Sequence, residues 1–118
     1  MGITVLICGG RDYADAAKVY DILDYIHKKV GIDVLISGAA RGADMIGINW
    51  AEERGVRCLK FPANWKKYNK AAGFIRNKQM AECEPDICVA FSGGSGTNNM
   101  IKLCEQYGIK YKRYDYGK

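Results

Sequence analysis

Ile3-Thr4-Val5-Leu6-Ile7-Cys8-Gly9-Gly10-Arg11-Asp12 is the stretch that decides the fold. Its first six residues are apolar apart from Thr4 and do not alternate, as expected of a parallel strand covered on both faces. Two glycines and a charged pair then end the strand in a turn. A helical pattern follows over residues 15–30, where Val19, Ile22, Leu23, Ile26 and Val30 share one face at i, i+3, i+4, i+7 and i+11. His27, Lys28 and Lys29 suit the negative end of that helix as cations, and Gly31 can close it.

The same alternation continues along the chain. Strands are expected at residues 34–37, 56–61, 86–91 and 109–114, and helices at 42–54, 66–83 and from Thr97 as N-cap to Gly108 as stop. The second helix carries Ala43, Ile46, Gly47, Trp50 and Ala51 on its stripe. The last carries Met100, Leu103, Cys104 and Tyr107. Lys110 and Lys112 alternate outward on the last strand, as befits a guarded edge. Strands alternating with helices predict an α/β, Rossmann-like three-layer sandwich with a five-stranded parallel sheet and about four helices. Right-handed crossovers allow the strand order 3-2-1-4-5.

The bulk features agree with one domain over residues 1–118, since 118 residues are too few for two cores. Hydrophobic residues at 48% and charged residues at 26% exclude a disordered or fibrous chain. The net charge of +5 points to an acidic partner, yet it is unevenly placed. Residues 54–81 hold eight cations and no acid, whereas the other 90 carry ten cations and thirteen acids. No apolar run is long enough to cross a bilayer, no secretory signal is visible, and Leu6 argues against myristoylation of Gly2. Five cysteines without a C-x-x-C pair, and one histidine, predict no zinc site and a reduced, cytoplasmic protein, and no cofactor is expected.

The glycines concentrate where strands give way to helices: Gly9 and Gly10, Gly38 and Gly42, and Gly93, Gly94 and Gly96. In a parallel sheet these turns share one edge, and the order 3-2-1-4-5 puts a switch point between strands one and four. Each loop alone reads as a tight turn. Three together, bearing Arg11, Ser37, Arg41, Ser95 and Thr97, predict an anion or nucleotide site at helix N-termini. The loops match neither G-x-G-x-x-G nor a P-loop, which disfavours ordinary NAD dehydrogenases and ATPases.

Four motifs in order carry a resemblance: Cys8-Gly9-Gly10-Arg11-Asp12, Ser37-Gly38-Ala39-Ala40-Arg41-Gly42-Ala43-Asp44, Ala72-Gly73-Phe74-Ile75-Arg76-Asn77 and Gly93-Gly94-Ser95-Gly96-Thr97. From residue 3 to about 109 the chain resembles the SLOG superfamily, most of all its small single-domain YspA/YpsA-type branch. That superfamily includes the Lonely Guy phosphoribohydrolases, the DNA-processing protein DprA and nucleotide-sensing domains of bacterial immunity. The resemblance implies a crevice for nucleotide-derived ligands, with Asp12, Asp44, Arg76 and Asn77 added to the site residues.

One departure bears on activity. The Lonely Guy enzymes carry a glutamate three residues after the threonine of their glycine motif, and Met100 stands there in this chain. Cleaving an N-glycosidic bond needs a carboxylate, and a thioether cannot replace one. Asp12 and Asp44 are the other acids near the crevice. Their structural readings are a cap on the first helix and a place in the first turn of the second, facing its own N–H groups. Lys66, Lys67, Lys70 and Lys78 read either as a solvated face or as part of a binding surface, with Trp65 and Tyr68 as stacking or interface candidates. The expected function is non-catalytic binding of a nucleotide-derived signal of the ADP-ribose type. It would act by sensing or sequestration, as in immune signalling, in a homo-oligomer and without a membrane. A phosphoribohydrolase using Asp12 or Asp44 is the first alternative and single-stranded DNA binding the second.

Overall fold

The structure is a computed structural model that describes residues 2–114. Its elements run β1 (Ile3–Cys8), α1 (Ala16–Val30), β2 (Ile32–Ser37), α2 (Ala43–Arg54), β3 (Arg57–Lys60), α3 (Trp65–Tyr68), a 3-10 turn (Asn69–Ala71), α4 (Ala72–Ala81), β4 (Ile87–Phe91), α5 (Ser95–Tyr107) and β5 (Lys110–Tyr114). The strands form one parallel sheet in the expected order β3-β2-β1-β4-β5. β1 lies at its centre, with Leu6 beside Ile36 on β2 and Cys88 on β4.

The unalternating apolar strands feed two cores. Val5 and Ile7 join Val19, Leu23, Leu35, Trp50, Ala51, Val89 and Phe91 beneath α1 and α2. Leu6 and Cys8 point the other way, toward Ile36, Met80, Cys88, Met100 and Cys104 beneath α4 and α5. Successive strand residues face opposite sides, so each helical layer receives half of every strand. On α2, a Cβ on Gly47 would stand 2.8 Å from Ile7 Cγ2, so glycine sets the close approach of helix to sheet. Asp24 clasps α1 to α2, accepting from Trp50 Nε1 at 2.8 Å and from Arg54 Nε and Nη2 at 2.9 Å each.

Several local expectations are corrected. α1 is capped by Asp15, whose carboxylate accepts from Lys18 N at 3.1 Å, and not by Asp12. His27, in the basic last turn of α1 with Lys28 and Lys29, also ties the helix end to β2, its Nδ1 accepting from Ile32 N at 2.9 Å. Val30 and Tyr107, expected on buried stripes, are exposed. The continuous helix expected at 66–83 is broken. Asn64 caps α3 by accepting from Lys67 N, and Asn69 then turns the chain with a φ of 51° before α4 begins. α5 starts at Ser95 with Gly94 as its N-cap, which leaves Thr97 buried within the first turn. β5 is an edge strand exposed from Lys110 to Arg113, Tyr111 and Arg113 included, while Tyr114 is half-buried and stacks on Phe91.

Candidate functional site

The β1–α1 and β4–α5 loops meet at the switch point, where glycine allows backbone to touch backbone. Gly10 N donates to Ser92 O at 2.9 Å, and Ala43 N, opening α2, donates to Gly10 O at 3.2 Å. A Cβ on Gly93 would stand 2.7 Å from Gly10 N, and one on Gly9 2.6 Å from Ala43 Cβ. The three strand–helix junctions therefore pack as one unit.

Beside them opens a crevice of about 420 Å³. Gly9, Gly10, Arg11, Asp44, Arg76, Asn77, Gly94, Ser95, Gly96 and Thr97 line it. Arg41 lines an adjoining hollow of about 320 Å³. Asp12, Ser37, Gly38, Gly42 and Gly93 stand outside both linings. Ser37 is fully buried, donating to Asp44 O at 2.9 Å and accepting from Ala39 N at 3.3 Å. Asp12 is an exposed partner of Arg41 at 3.5 Å. Gly38, Gly42 and Gly93 serve as close-packing points between loops.

The N-terminus of α5 forms part of the crevice lining. Gly94 has no side chain to cap the helix, and the first intrahelical bond runs from Asn98 N to Gly94 O. The N–H groups of Ser95, Gly96 and Thr97 thus precede the helical ladder, which places the positive end of the helix at the crevice. Asn77, itself buried, fixes that end by donating from Nδ2 to Gly96 O at 3.1 Å and to Asn99 Oδ1 at 3.0 Å.

Arg76 and Asp44 set the electrostatics. Arg76 donates through Nη1 to Gly38 O at 2.6 Å and through Nε to Asn77 Oδ1 at 2.9 Å, which leaves Nη2 without a protein acceptor among the described residues. Burial holds its guanidinium below its ordinary range, with Asp44 opposing that shift and Arg11 adding to it. Asp44 accepts from Ala40 N at 3.3 Å, a loop N–H ahead of α2, where the sequence suggests one of the helix's own N–H groups. Burial pushes its carboxyl up to about 6, against the pull of Arg76, the Ala40 N–H and Arg11.

Sequence reasoning missed Cys8, Ala40, Gly73, Phe74 and Met80 in the lining, left Lys70 between a solvated face and a binding surface, and offered Trp65 as a stacking or interface candidate. Lys70, Gly73, Phe74 and Asn77 lie at i, i+3, i+4 and i+7, the spacing of one helix face, and that signal could have found them. Trp65 and Phe74 are both about half exposed, and Arg11 lies 5.2 Å from the Trp65 ring centroid. Of the lysines in the basic segment only Lys70 lines the crevice. Met100 is fully buried in the core beneath α4 and α5, outside the lining. Among the described residues no group of three or more His, Cys, Asp or Glu side chains is placed to hold a metal. None of their helices is long and apolar enough to cross a membrane.

The parallel sheet and its crevice at the switch point make this a Rossmann-like α/β domain. The chain belongs to the YspA, cpYpsA-related SLOG family, whose model matches residues 3–68. It is 35% identical over 113 residues to the Gene 61 protein of Mycobacterium phage D29, covering 89% of this chain and 90% of that one. Two structures of the C-terminal domain of a hydrogenase from Pyrococcus furiosus share the fold. They show TM-scores of 0.57 and 0.56 at 13% and 15% identity, over 94% and 93% of this chain and 90% and 89% of theirs. Membership of the SLOG family points to a nucleotide-related function.

Proposed function

We propose that the crevice binds a nucleotide or nucleotide-derived molecule, of the ADP-ribose type, without cleaving it. The observation that carries this reading is the uncapped N-terminus of α5 in the same crevice as Arg11 and Arg76. Backbone N–H groups and guanidinium forks are the groups that hold phosphate. Trp65 and Phe74, exposed in the same lining, offer apolar faces on which a base can stack. Asp44 is the one carboxylate of that lining, whereas glycoside cleavage generally needs a pair. Holding a ligand intact suits sensing or sequestration of a nucleotide signal, of the kind used in immune signalling.

Asp44 favours a second reading. A carboxyl pushed up to about 6 is poised near neutral pH as a general acid or base, which a nucleotide N-glycosidase would use. One experiment separates the two. The protein is incubated with ADP-ribose and with nucleoside monophosphates, freed of unbound ligand and heated, and the released material is chromatographed. Intact ligand near one per chain is expected. Free base and sugar phosphate in the removed unbound fraction, lost in Asp44→Asn, would establish the enzyme instead, and an empty supernatant with no product in that fraction would sink both.

A further inference from the structure

The hollow of about 320 Å³ beside the crevice has no role in the reading above. It shares Arg11, Ala40, Trp65 and Arg76 with the crevice and adds Arg41 and Pro62, among others. Three guanidiniums therefore border one small space, and no carboxylate does. They come from three separate parts of the chain: the β1–α1 loop, the β2–α2 loop and α4.

We infer that this hollow is an anion subsite, so that the ligand carries two anionic groups, one at the N-terminus of α5 and the other among Arg11, Arg41 and Arg76. The inference rests on the proposed nucleotide reading and specifies the ligand further. Like charges gathered in one space repel, and a bound anion relieves that repulsion while satisfying planar forks that suit phosphate. Two of the three guanidiniums are positioned in advance, Arg76 with its Nη2 left for a ligand. Arg76 is anchored by Gly38 O and Asn77, and Arg11 lies over Trp65. Arg41 is the adjustable one, with its side chain 76% exposed and tied to Asp12 by a long 3.5 Å contact. Of the acids in these loops, Asp12 pairs with Arg41 and Asp44 lines the neighbouring crevice.

Isothermal titration at fixed ionic strength tests this with the four ribonucleoside 5′-monophosphates, their 5′-diphosphates and their 3′,5′-bisphosphates. For the preferred base, at least one doubly phosphorylated form should bind about tenfold or more tighter than the monophosphate. Arg41→Gln should remove that gain, leaving the doubly phosphorylated form no more than about twofold tighter than the monophosphate. Asp12→Asn, which releases Arg41, should preserve or increase the gain. Equal affinity for singly and doubly phosphorylated forms, or a gain that survives Arg41→Gln, would overturn the inference and leave the crevice reading intact. Failure of every nucleotide to bind would overturn the crevice reading, and this inference with it.

Discussion

Arg76 donates from Nη1 to the carbonyl oxygen of Gly38 at 2.6 Å, pinning α4 to the loop that leads into α2. The same guanidinium reaches Asn77 through Nε, and Asn77 in turn holds the first turn of α5. One short chain of hydrogen bonds thus sets the width of the crevice, which makes Arg76 both a structural tie and a candidate anion contact. Its fork geometry cannot be copied by an ammonium.

Arg76→Lys should therefore cost about 1–3 kcal/mol of stability, the scale of losing charged hydrogen bonds at a partly buried site. Nucleotide affinity should fall by more than the small loss expected from weakened steering alone. Urea denaturation and titration calorimetry on the same preparation check both effects. Unchanged stability would show that the Gly38 bond is not a tie.

Asp44 makes stability depend on pH in a stated direction. Its folded-state value of about 6 lies above the ordinary 3.8, so the fold favours the neutral carboxyl. The stability it contributes is full below about pH 4 and is lost as pH rises through about 6. The two-unit displacement corresponds to about 3 kcal/mol by neutral pH. Asp44→Asn should remove this loss, so the variant gains on the wild type between pH 4 and 7.5 in chemical denaturation. Wild-type nucleotide affinity should also weaken through the same range relative to Asp44→Asn, because an ionised Asp44 repels phosphate. The phosphate's own titration is common to both proteins and cancels in their ratio. A constant difference between the two proteins across this range would contradict the assignment.

Gly42 sits at a φ of 83°, and an added Cβ there would crowd Gly10 O and stand 2.6 Å from Arg11 O. Gly42→Ala should destabilise by about 1–3 kcal/mol through backbone strain, with the clash pushing the Gly10–Arg11 loop away from α2. Thermal unfolding measures the first effect. Loss of nucleotide binding under conditions where the variant remains folded measures the second.

The central strands were legible because their chemistry is local. A run such as Ile3–Cys8, apolar apart from Thr4, has one reading once glycine loops and helical periods flank it, and right-handed crossovers allow the strand order that the structure has. The missed features all depended on distant partners or on small side-chain choices. The break in the expected helix at 66–83 rests on Asn69 adopting a positive φ, a backbone choice that the residue type does not announce. Thr97 looks like an N-cap in isolation. In the fold, Asn77 on α4 grips Gly96, and the helix begins two residues before Thr97. Asp44 reads as an ordinary first-turn acid, and only burial by the surrounding loops raises its carboxyl. The glycine loops were correctly gathered at one edge, yet Gly38, Gly42 and Gly93 are used for packing, which spacing alone does not distinguish from opening the backbone to a ligand.

The central claim is that backbone N–H groups at the start of α5 hold a phosphate, and Ser95→Pro tests it most directly. Ser95 is the first residue of the helix, a position that proline tolerates because its missing N–H has no helical partner there. The variant should keep the wild-type thermal midpoint within a few degrees. In titration calorimetry with the preferred nucleotide its affinity should fall by about tenfold, the scale of losing one charge-assisted hydrogen bond. An unchanged affinity in a folded Ser95→Pro variant would contradict the account.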